Sequence, residues 1–139
     1  MTHCYNCRAK FIPGHNLKEV SRIARRIFNA LHPKSKRRPY VKSAYFGEKI
    51  FLDNYWPHLK EKTPSDQIRR LKFFEVALEL IQKSKMRPMF ESRDEMKKEA
   101  LYRFLGKADE KYFVVQIKED LKRSQKFLMS AFEYRLREK

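Results

Sequence analysis

His58 is the one imidazole beyond residue 32, and it sits in Tyr55-Trp56-Pro57-His58-Leu59 with Lys60 and Lys62 close behind. An imidazole titrates near neutrality and adjacent cations lower its pKa further, so this residue type suits proton transfer at neutral pH. Its plainer meaning is a helix-surface histidine packed on Trp56. Three apolar runs nearer the C-terminus carry polar residues among the hydrophobic ones. Arg103 lies between Tyr102 and Phe104, Gln116 and Lys118 flank Ile117, and Ser130 follows Phe127-Leu128-Met129. Strand alternation puts Gln116 and Lys118 on one face, and Leu128, Ser130 and Phe132 likewise on one face. A basic, hydroxyl-bearing sheet face can seat a phosphate; equally, it can be a solvated surface with Ser130 hydrogen-bonded in the core.

Cys4-x-x-Cys7 has zinc spacing, with His3 and His15 near enough to complete a tetrahedral set. One thiolate pair is half a site, and no second CxxC follows. No cofactor is therefore expected, with a small zinc knob on Cys4 and Cys7 as the alternative. G-x-G-x-x-G, G-x-x-x-x-G-K-[ST], H-E-x-x-H and G-x-S-x-G do not occur, and three glycines leave little room for a phosphate loop. Nucleotide-dependent enzymes and metallopeptidases are therefore not expected.

The partner class follows from charge. Thirty-three Lys and Arg against 17 acids give a net charge of +16 across 139 residues, a potential that concentrates polyanions. Residues 1–40 are the denser part, with Glu19 their sole acid. At 42% hydrophobic and 14% aromatic, the chain can bury a core and is not of disordered composition. No stretch approaches the ~20 apolar residues of a membrane span. Nor does the N-terminus carry an apolar run that reads as a secretory signal. With two cysteines too few for a disulfide framework, the expected setting is the reducing cytoplasm, without membrane contact.

The elements that must position these residues can be outlined. Asn16 caps a helix over 17–31, whose stripe is Leu17, Val20, Ile23/Ala24, Ile27/Phe28 and Leu31. His32 to Pro39 is a proline-bracketed basic linker, which divides a basic N-terminal helical arm (1–39) from a second domain (40–139). Residues 40–46 and 48–52 read as a hairpin turned at Gly47, and 55–59 as a short helix with Pro57 in its first turn. Ser65 caps one long helix to about Lys83, and 84–98 is irregular. Strands follow at 100–105, 111–118 and 126–133, with turns at Gly106–Asp109 and Glu119-Asp120. The expected fold is α+β, an antiparallel sheet with helices packed on one face.

From Tyr55 to Phe132 the chain resembles the phage- and mobile-element-borne nuclease group of the barnase/EndoU/colicin D/RelE-like fold. The resembling stretches are Tyr55-Trp56-Pro57-His58-Leu59-Lys60, Arg69-Arg70-Leu71, Tyr102-Arg103-Phe104-x-Gly106-Lys107, Phe113 to Lys118 and Phe127 to Phe132. The resemblance implies a toxin-like, metal-independent endoribonuclease acting on tRNA or mRNA. A base removes the ribose 2′-OH proton, the alkoxide attacks phosphorus, and the products are a 2′,3′-cyclic phosphate and a 5′-OH. His58 then serves as base or acid, and Arg103 and Lys118 stabilise phosphoryl charge. Ser130 holds a nonbridging oxygen, and Arg69 faces the same cleft. Lys34, Lys36, Arg37, Arg38, Lys60, Lys62 and Lys107 are the expected phosphate contacts, with Tyr40 and Tyr45 stacking on bases. The alternatives are a non-catalytic nucleic-acid-binding module and a piece that pairs with an acidic inhibitor protein.

Overall fold

The computed structural model describes residues 4–31 and 38–135. The elements run β1 (Cys4–Asn6), α1 (Leu17–Leu31), β2 (Tyr40–Lys42), β3 (Lys49–Phe51), α2 (Tyr55–Lys60), α3 (Pro64–Leu71), α4 (Phe74–Lys83), β4 (Phe90–Asp94), β5 (Glu99–Ala108), β6 (Lys111–Asp120) and β7 (Gln125–Tyr134).

All seven strands join one sheet in the order β1-β5-β6-β7-β3-β2, with β4 sharing the β5 edge. The sheet is mixed, which corrects the expected antiparallel one. β5, β6 and β7 form the antiparallel meander, but β1 runs parallel to β5 and β3 parallel to β7. Three-residue strands carry too little periodicity for their partners to be read from sequence, and both parallel neighbours are of that length.

There is also no separate basic helical arm. β1 extends the sheet, and Val20 and Ala24 of α1 are fully buried with Leu71, Phe73 and Phe74. Glu79 of α4 fastens the N-terminal segment, accepting hydrogen bonds from the backbone of Arg8 and Ala9 and from the Tyr5 hydroxyl. Arg25 of α1 lies 3.8 Å above the Trp56 ring. The Asn16 cap is as expected, its side chain accepting from the Glu19 amide at 2.9 Å.

The long helix expected from Ser65 to Lys83 is two helices, and its cap is Thr63, which accepts from the Asp66 amide ahead of Pro64. The break at Lys72-Phe73 lets both Phe73 and Phe74 turn inward. Phe73 packs on Phe11 and Phe113 at 4.9 and 5.7 Å, and the freed Lys72 carbonyl accepts from Ile12. Within 84–98, expected to be irregular, β4 is an edge strand exposed along its whole length.

Gly106 is a strand residue, not a turn residue. A Cβ there would sit 2.5 Å from the Phe113 ring and 2.9 Å from Leu80, so only glycine lets helix and sheet approach this closely. The turn itself is Asp109-Glu110, both at positive φ, the geometry that matches strand twist in a tight hairpin. Phe104, Phe113, Val115, Ile117, Leu128 and Ala131 form the buried sheet contribution to the core beneath the helices. Alternation sends Arg103, Gln116 and Lys118 to the opposite, outer face.

Candidate active site on the outer sheet face

The meander register sets Arg103, Gln116 and Ser130 in one row across β5, β6 and β7. Arg103 Nε donates to Gln116 Oε1 at 3.0 Å, which fixes the guanidinium over the middle strand, and Ser130 is buried at the end of the row. Two residues along β6, Lys118 pairs with Glu99 at 2.9 Å. Between these two rungs the β6–β7 register shifts, so that Gln116 faces Ser130 and Ile117 faces Leu128. The extra residue is Met129. Such a bulge re-aims side chains, and Met129 lines a depression of about 260 Å³ with Leu101, Lys118, Ser92 and Asp94.

His58 reaches this region from α2. Tyr55, Trp56 and Leu59 are buried, anchoring the short helix, and α2 packs on β7. His58 is left half-buried, its Nδ1 3.8 Å from Glu61. Burial lowers its pKa first, Lys62 lowers it further, and Arg70 and Lys118 act in the same sense against an opposing Glu61. The imidazole is therefore neutral at pH 7, with its lone pair available to take a proton. Lys118 and His58 lie within each other's electrostatic reach although 60 residues separate them in sequence.

Arg69 does not join this group. Its side chain is 71% exposed beside Asp66, whereas Arg70, one helical step away, lies over the Phe132 ring at 5.2 Å and bonds Asp66 at 3.1 Å. The adjacent pair offers no sequence signal for which arginine faces the sheet; the burial of Leu71 decides it. Lys60 is exposed on α2 and Lys62 half-buried just beyond it. Lys107 lies on β5 with its ammonium 5.3 Å from the Tyr112 ring. Tyr40 and Tyr45, both expected to stack on bases, are on different sides of the sheet. Tyr40 pairs in register with Phe51, while Tyr45 packs on Phe104 on the helix side. Arg38 is already engaged, with two nitrogens on Asp53 and the third on Gln125. Lys34, Lys36 and Arg37 lie outside the described residues.

The thiols are held protonated. Burial raises Cys4, and burial, then Glu79 and Cys4, push Cys7 up to about 12; Cys7 Sγ donates to the Val76 carbonyl at 3.7 Å. His15 is exposed, and His3 lies outside the described residues. Among the described residues no group of three His, Cys, Asp or Glu side chains could hold a metal ion. Nor is any described helix long and apolar enough to cross a membrane.

In comparisons with family models, curated proteins and solved structures, nothing matches the chain. Function rests on the site.

Proposed function

We propose that the outer sheet face is the active site of a metal-independent endoribonuclease that uses the ribose 2′-OH as nucleophile. The observation that carries this reading is a half-buried histidine with a lowered pKa on α2, within electrostatic reach of Lys118 and Arg70, next to a sheet whose outer face presents Arg103 and Lys118. His58 takes the 2′-OH proton, the 2′-oxygen attacks the adjacent phosphorus, and the P–O5′ bond breaks as the 5′-oxygen takes a proton from water. This gives a 2′,3′-cyclic phosphate and a 5′-OH. Arg103 and Lys118 stabilise charge on the phosphoryl oxygens, usually the larger contribution to the rate, while Ser130, buried at the end of their row, is not open to a substrate oxygen. The net charge of +16 raises the local concentration of RNA, tRNA or mRNA being the substrate class. The resemblance of residues 55–132 to the barnase/RelE-like nucleases supports the same assignment.

One observation favours a second reading, a module that binds nucleic acid without cutting it. Lys118 already pairs with Glu99, and Arg103 with Gln116, so both polar groups have partners before any substrate arrives. A strand with a single ribonucleotide in an otherwise 2′-deoxy chain separates the two. The enzyme reading expects a cut at that nucleotide alone, leaving a cyclic phosphate. Binding without cleavage, or cleavage of the all-deoxy chain, would overturn it.

A further inference from the structure

Beyond Lys118 the outer face continues through residues that neither the core nor the proposed chemistry uses. Phe127 is the β7 partner of Lys118, Phe51 is the β3 partner of Phe127, and Tyr40 is the β2 partner of Phe51. Three aromatic side chains thus form a row across three strands, half-buried at Phe127 and Phe51 and 42% exposed at Tyr40. Cations lie against this row. Lys49 Nζ is 4.7 Å from the centre of the Tyr40 ring, and the Arg38 guanidinium is 4.1 Å from that of Phe51.

Arg38 has an unusual status. Its Nε and one terminal nitrogen donate to Asp53 at 2.8 and 3.0 Å, and the other donates to Gln125 at 3.0 Å. Every nitrogen is engaged and the charge is matched by a carboxylate, yet the side chain is 41% exposed. Two of its five N–H groups stay free, but its charge is already answered by Asp53, so a phosphate gains less from it than from an unpaired arginine. What it presents is a fixed flat plane on an aromatic ring. Guanidinium planes and aromatic faces are the surfaces on which unpaired bases stack, while duplex bases are already stacked on one another.

We infer that the Tyr40–Phe51–Phe127 row, with Arg38 and Lys49, is a stacking strip for the bases of single-stranded RNA leading away from the Arg103–Lys118 centre. The inference rests on the outer face being the RNA-handling face. Charge complementarity favours this occupant, because Lys49 and Lys118 flank the aromatic row where a phosphate chain would run.

The test is fluorescence anisotropy at ~150 mM salt with two labelled chains of equal length, 2′-O-methyl oligouridine and its abasic counterpart; neither has a 2′-OH to attack beside a base. Phe51→Leu and Phe127→Leu should each weaken oligouridine binding about five-fold or more and leave abasic binding unchanged. Tyr40→Leu, at the most exposed position, reads the same effect if either phenylalanine variant melts early. Equal weakening on both chains, or none on oligouridine, overturns the strip. So does displacement of oligouridine by a polyglutamate peptide at equal charge concentration, which would mark a surface for an acidic protein. RNA cleavage by the wild type alongside base-independent binding removes the strip and leaves the nuclease reading intact; neither binding nor cleavage removes both.

Discussion

The two faces of this sheet each carry a lysine bonded to a carboxylate, and the two lysines are built for different work. Lys126, on the helix side, is 7% exposed. It bonds Glu48 at 2.8 Å and Glu119 at 3.4 Å, and its ammonium lies 4.7 Å from the Phe46 ring centre. The Tyr102 hydroxyl closes the network on Glu119 at 2.7 Å, and burial followed by that bond pushes the tyrosine up to about 12. Lys118, on the outer side, has Glu99 at 2.9 Å, and both are substantially exposed. A lysine buried against two carboxylates is locked, whereas a partly solvated pair exchanges one anion for another at small cost. The same residue types therefore make a fastener for the β2–β3 hairpin on one face and, in the proposed function, an anion seat on the other.

Removing each lysine's environment in turn should break this contrast or sharpen it. Lys126→Ala leaves Glu119 buried without its cation, and should destabilise the fold by about 3 kcal/mol in urea unfolding. A loss under 1 kcal/mol would show the network to be solvated. Gly106→Ala pushes a methyl group into the Phe113 ring beneath Leu80, and should cost about 2 kcal/mol by the same measurement. On the outer face, Glu99→Gln should change stability by less than about 1 kcal/mol. With Lys118 released, RNA affinity should rise; a fall would mean that Glu99 orients Lys118 and does not merely occupy it.

The smallest effect concerns the N-terminal strand. Burial raises the Glu79 carboxyl, but the amides of Ala9 and Arg8 and the Tyr5 hydroxyl outweigh it and hold the pKa below the usual glutamate range. A depressed carboxylate contributes stability that is present above its unfolded pKa, near 4.3, and is lost as pH falls through the folded value. The protection of the Arg8 and Ala9 amides from exchange, relative to the unstructured rate at each pH, should therefore fall below about pH 4, and in Glu79→Gln should be low at every pH.

Much of this was legible in the sequence where periodicity is long. The Asn16 cap and the limits of α1, the short helix bearing His58 and the three meander strands all follow from patterns of six residues or more. The mixed sheet was not, because β1 and β3 are three residues each and their register depends on contacts remote in sequence. The helix break at Phe73 was hidden by two adjacent phenylalanines, either of which fits the apolar stripe. Gln116 and Lys118 share the outer face, as alternation predicts, but Leu128, expected on one face with Ser130, is a core residue on the helix side, because the bulge at Met129 reverses the alternation between them. Arg70 was not distinguishable from Arg69, and Met129, the bulge residue, shifts β7 in a way no single strand records. The outer placement of Phe51 and Phe127 was not legible, because apolar spacing does not say which face of a sheet the helices cover.

The claim that the outer face does chemistry is tested most directly at His58. Labelled total RNA is incubated in EDTA with wild type and with His58→Ala, at equal folded concentration and across pH 5–8. The account predicts discrete fragments with cyclic phosphate ends from the wild type, and a rate at least about 100-fold lower from the variant. It also places the acid limb of the wild-type profile below pH 6.5, because burial and Lys62 lower the histidine pKa and the base must be neutral to act. Equal cleavage by both proteins, or intact RNA in both lanes, would contradict it.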